Sequence, residues 1–225
     1  MAHLSFLVSF LLVSSAFPGI HAVEYIVSNT VPNTEGGARF ANELGDDYAR
    51  QTMISATDFI WQLFQQTSEA DRKSVARVTL VIDNYDGIAY ASNNEIHMGA
   101  PNYLKNIKGD IKEDFNGVLY HEMTHIWQWD GKGKAGKLIE GVADFVRLKA
   151  NYAPVSWPKR GSGTNWDEGY AVTAYFLDYC ESLRGGFVAE LNKKMRDDYS
   201  NDFFVQLLGK TVDQLWSEYK AKYGN

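Results

Sequence analysis

The spacing of apolar and polar residues changes along the chain and predicts different elements in its two halves. Residues 23–28 alternate, which predicts a short strand. Across 38–66 the apolar residues fall at helical spacing, most clearly Phe59, Ile60, Leu63 and Phe64, and Gly45 marks a break. The run RVTLVID at 77–83 reads as a buried strand, and Asp86-Gly87 signals a turn after it. Segments 88–91 and 94–98 read as further strands, placed at the sheet edge because polar residues interrupt them. From 111 onward the period is helical. Helices are predicted over 111–129, over 138–151, from a cap at Thr164 or Asn165 to Leu183, and over 187–196. A last helix starts at Thr211, where Thr-Val-Asp-Gln forms a capping box. The whole predicts an α+β fold, with a small sheet in the N-terminal half and a mainly helical C-terminal half.

One apolar stretch does not fit a folded core. Residues 4–17 carry no charge, are too short to span a bilayer, and are followed by Pro18-Gly19 and a small residue at Ala22. This predicts a signal peptide over 1–22 and a single domain over 23–225, exported and without a membrane segment in its mature form. With 22 Lys+Arg against 28 Asp+Glu, the net charge of −6 excludes a broad phosphate-binding surface, so no nucleic-acid partner is expected. The single cysteine, Cys180, rules out an internal disulfide and lies on an apolar helix face, as a buried thiol would.

The chemistry concentrates at 121–125, His-Glu-Met-Thr-His. Histidines at i and i+4 share one helix face and can reach one metal ion, and the glutamate between them is placed to act as a general base. Of the three histidines after residue 22, two fall in this motif, and the third, His97, is expected to be structural or superficial. A catalytic zinc needs another protein ligand. Gln128 and Gly131 occupy the positions where an extended motif would carry glycine and a further histidine, so a downstream carboxylate is the expected source. Glu140 and Asp144 lie one helical turn apart after the glycine- and lysine-rich loop 130–137. One can ligate the ion while the other accepts a hydrogen bond from a ligating histidine. Tyr170 is expected to stabilise an oxyanion, and the edge-like strand at 93–98 to align an extended peptide.

The E-x-x-x-D spacing is similar to that of the glutamate-zincin peptidases, and this resemblance implies Glu140 as ligand and Asp144 as its outer partner, with the reverse assignment open. At greater length, VLYHEMTHIWQW (118–129), LIEGVADFVRLKA (138–150), GYAVTAYFLDYC (169–180) and GFVAELNKKMR (186–196) closely resemble the plant basic secretory proteins, as do ASNNEIH (91–97) and LLGKTVDQLWSEYKAKYG (207–224). The resemblance implies a zincin-like domain and a secreted, apoplastic zinc metallopeptidase of the pathogenesis-related class. Its zinc would sit on His121, His125 and Glu140, with Glu122 as base and a peptide or protein as substrate. The chain departs from the family's name in being acidic. A second reading stays open: a secreted defence protein that acts by binding, its zinc site structural or vestigial.

Overall fold

The computed structural model describes residues 23–224, so the expected signal peptide lies outside the described residues. Strand β1 (Glu24–Asn29) is followed by helices α1 (Glu35–Glu43) and α2 (Asp46–Leu63), then by strands β2 (Arg77–Asp83), β3 (Ala89–Ser92) and β4 (Glu95–Gly99). Six helices complete the chain: α3 (Ile111–Trp127), α4 (Leu138–Lys149), α5 (Tyr170–Leu183), α6 (Phe187–Lys194), α7 (Asp202–Leu208) and α8 (Val212–Tyr223). The sheet order is β1-β2-β4-β3, with β1, β2 and β4 parallel and β3 antiparallel to β4. The fold is α+β, as the residue pattern predicts.

Local chemistry accounts for several boundaries. Thr34 caps α1 by accepting from the Gly37 N–H, and Gly45, at φ 78°, separates α1 from α2. Asp110 caps α3, its carboxylate accepting from the N–H groups of Lys112 and Glu113. Thr211 and Gln214 form the expected capping box of α8. In β2 the alternation is strict: Val78, Leu80 and Ile82 are fully buried, and they join Ile96 and Met98 of β4 in one apolar core with Met53, Ile60, Phe115 and Leu119. Cys180 is fully buried in that core.

Two expectations are corrected. Strand β4 is interior, flanked by β2 and β3, and the edge beyond it is β3. The polar residues that marked 94–98 as an edge have other causes. Asn93 and Asn94, at φ 51° and 61°, form the two-residue turn of a β3–β4 hairpin, and Glu95 and His97 are the less buried residues beside the core residue Ile96. Helix α5 begins at Tyr170, not at Thr164 or Asn165. The Thr164 and Asn165 N–H groups do donate to Glu168, but they close an isolated turn, because Gly169 takes φ 87°, ψ −173° and interrupts the helix. Helix α7 was not anticipated.

Candidate metal centre

Helix α3 is buried along most of its length, and His121, Glu122 and Thr124 are buried polar residues on it. Helix α4 packs against α3, and α5 packs against α4. The second packing depends on Gly141, because a Cβ there would come within 2.2 Å of Thr173 Cγ2 on α5. That close approach brings the start of α5, at Gly169 and Tyr170, beside Glu140. Loop 128–137 lets α4 fold back along α3, so residues distant in sequence meet.

The His121 Nε2, His125 Nε2 and Glu140 Oε2 atoms converge. The two nitrogens are 3.1 Å apart, and Glu140 Oε2 lies 3.2 Å from His121 Nε2 and 3.5 Å from His125 Nε2. Ligands held tetrahedrally at about 2.0–2.1 Å from one ion lie about 3.4 Å apart. The spacing therefore fits a single ion, and these three groups could hold one. Asp144 Oδ1 lies 2.7 Å from His121 Nδ1, the opposite ring nitrogen. A proton on Nδ1 donated to Asp144 leaves Nε2 with a free lone pair. The structure thus sets Glu140 against both Nε2 atoms and Asp144 behind His121. Gln128, whose role the sequence reading did not see, places its amide Nε2 2.7 Å from His125 Nδ1 and donates to the Ile139 carbonyl. Its spacing of i+3 from His125 was the available signal.

Glu122 is 6 % exposed, and its Oε2 has no hydrogen-bond partner. Such an orphaned carboxylate oxygen costs stability unless a further group is meant to meet it. Burial raises the Glu122 pKa, while His121 and His125 oppose the rise. Burial alone would depress His121, but its hydrogen bonds to Asp144 and Glu140 push it up to about 9. Burial likewise works against a charged Glu140, yet the bonds from His121 and His125 hold it well below the usual carboxylate range.

Tyr170 lies on the same cleft, its ring stacked on His121 at 6.0 Å between centroids and 9° between planes. Burial, followed by the carboxylates of Glu140, Asp144 and Glu122, raises its pKa and keeps the phenol protonated. His97 stands apart: its Nδ1 is 2.5 Å from Asp83 Oδ2, and its ring stacks on Tyr90 at 4.8 Å. The cleft has a volume of about 850 Å³ and is bordered by Tyr85, Ile88 and Tyr90 beside His121, His125 and Glu140. Edge strand β3, rather than 93–98, therefore runs along it.

Residues 20–219 match the BSP family, described as peptidase of plants and bacteria. A relative from Boswellia serrata, named basic secretory protease, is 54% identical over 63 residues, which is 28% of this chain and 73% of that protein. No solved structure matches the chain. The fold and the convergence of α3, α4 and α5 therefore stand in a chain that belongs to the BSP family of peptidases of plants and bacteria.

Proposed function

We propose that this chain is a secreted zinc-dependent metallopeptidase, with zinc held by His121, His125 and Glu140. The observation that carries the reading is the convergence of three donor atoms within 3.5 Å of one another beside the unpartnered Oε2 of Glu122. A bound zinc ion supplies Lewis acidity towards a carbonyl and a nucleophilic water at neutral pH. Asp144 fixes the His121 tautomer and ring orientation. Glu122 takes the proton of the attacking water and passes it to the leaving amine, a task suited to a carboxylate whose burial raises its pKa. Tyr170, protonated and beside Glu140, donates a hydrogen bond to the carbonyl oxygen as negative charge develops there. The unpaired side of β3 can take up an extended peptide as an added strand along the cleft.

Export is supported by the uncharged apolar run ahead of Ala22 and by the relative's name as a secretory protease. Among the described residues no helix is long and apolar enough to cross a membrane. The resemblance to the basic secretory proteins supports an apoplastic role in plant defence.

The test pairs metal analysis with cleavage of an unfolded protein. About one zinc per chain is expected, with cleavage abolished by chelation and restored by zinc. Glu122→Gln should keep the metal and lose at least about 10²–10³ in kcat/KM, as expected for a general base. Stoichiometric zinc without cleavage of any substrate would instead support the binding-protein reading.

A further inference from the structure

Beyond the reacting groups, two cations line the cleft, Lys73 and Arg147, and Arg147 is the one whose head group is held against the helix that carries His121. Arg147 sits on α4 one turn past Asp144 and lines the cleft. Its guanidinium lies against α3 at Gly117, one turn before His121. A Cβ at Gly117 would fall 2.7 Å from Arg147 Nε and 2.8 Å from Nη2. A glycine in a helix interior weakens the helix, and here it opens the space the guanidinium occupies. The group is also oriented: Nε donates to the Tyr152 carbonyl at 3.0 Å, and Cζ lies 5.9 Å from the centre of the Trp157 ring. Among the described residues no carboxylate comes within ion-pair distance of it, although the chain carries a net charge of −6. Burial lowers the pKa of the cleft's other cation, Lys73, against the opposing pull of Asp130, so its charge is less secure than that of a guanidinium. A half-buried arginine that lines the cleft, is oriented at Nε and stands in no ion pair is suited to capture of a carboxylate through its terminal nitrogens.

We propose that Arg147 is a specificity residue that binds a carboxylate of the peptide substrate, one or more positions from the bond that is cut. The proposal rests on the peptidase reading and adds a substrate class to it: peptides that present an acidic side chain or a free C-terminal carboxylate at that distance. Gly117 contributes by leaving room for the guanidinium.

The test uses the zinc-loaded enzyme and a set of quenched fluorescent peptides. In one arm a single Glu is moved through the positions on each side of the cleaved bond and compared with Gln at the same place. In the other arm, free and amidated C-termini are compared. The native enzyme should prefer the charged member of one such pair by roughly 10- to 100-fold in kcat/KM. The arm in which the preference appears identifies the source of the carboxylate. Arg147→Met should bring that ratio to near one, and Arg147→Lys should restore part of it. Gly117→Ala keeps the arginine but displaces the flexible guanidinium, so it should also collapse the ratio even if Arg147→Met folds poorly. A ratio near one in the native enzyme, or a ratio left intact while all rates fall together, overturns the proposal and leaves Arg147 as a brace for the 152–157 loop. Failure to cleave any peptide would instead overturn the peptidase reading and this proposal with it.

Discussion

Tyr170 is a bulky residue at φ 43°, directly after Gly169 at φ 87°. Left-handed backbone at such a residue costs on the order of 1–3 kcal/mol and persists only where its surroundings fix it. Here the Gly169 N–H donates to Thr173 Oγ1, that hydroxyl donates to the Trp166 carbonyl, and the Tyr170 ring lies on His121. Tyr170→Phe preserves the ring and removes only the phenol. If Tyr170 stabilises the oxyanion, kcat should fall about 100-fold with the thermal midpoint unchanged. Steady-state kinetics beside a melting curve separate the two effects, and an unchanged kcat would reduce Tyr170 to packing. Gln128 offers a second check. A metal on His125 Nε2 requires a proton on Nδ1, and that proton needs an acceptor, which a half-turn of the Gln128 amide would bring there. Gln128→Met should therefore weaken zinc binding by roughly 10- to 100-fold in a competition titration against a chelator. The placement of His121, Glu122 and His125 together is legible in the sequence because one helix sets it. The approach of the Arg147 guanidinium to Gly117 is not, since it joins two helices.

At the level of elements, structure follows local sequence where one rule decides the outcome and departs from it where two compete. The Thr211 capping box leads directly into α8 because nothing after it opposes helix. Thr164, Asn165 and Glu168 make comparable hydrogen bonds, yet α5 waits until Tyr170. Gly169 allows the delay. Its φ 87°, ψ −173° conformation is essentially closed to other residues, and a cap cannot propagate a helix through it. Polar residues in 88–98 misled in a similar way, because a hairpin turn and an exposed sheet face both look like an edge. Glu140 and Asp144 could be paired from their spacing, but which of them faces the two Nε2 atoms depends on how α4 packs on α3. Gly169→Ala tests this junction. The Cβ has room, its closest neighbours being 3.4 Å away, so the cost is conformational. A loss of about 1–3 kcal/mol is expected in denaturant unfolding. Activity should fall further than stability accounts for, because Tyr170 and Glu140 flank the strained bond. Wild-type stability would mean that the junction relaxes without strain.

For the whole molecule, the proposed centre would couple folding to protons and to metal in opposite directions. In the metal-free protein His121 holds its proton up to about pH 9, against 6.5 for the ordinary residue. Its stabilising contribution is therefore complete below pH 6.5 and is lost as pH rises through 9, amounting to at most about 3–4 kcal/mol. Glu140 behaves conversely. Its pKa is depressed from 4.5, so its contribution is present above pH 4.5 and lost as acid is added below it. The metal-free protein should accordingly be most stable between about pH 4.5 and 6.5 by these two groups. Zinc bound as proposed would need His121 Nε2 unprotonated, so its binding should expel the proton and tighten as pH rises. Because a ligand that binds only the folded state stabilises it in proportion to its affinity, the thermal shift caused by zinc should grow from pH 6 towards about pH 9. Over the same range the metal-free midpoint should decline. Calorimetric titration with zinc near neutral pH, in buffers of different ionisation enthalpy, should report about one proton released per ion bound. A zinc-induced shift independent of pH would mean that His121 does not carry the shared proton, and the ligand set would then have to be sought elsewhere on the cleft.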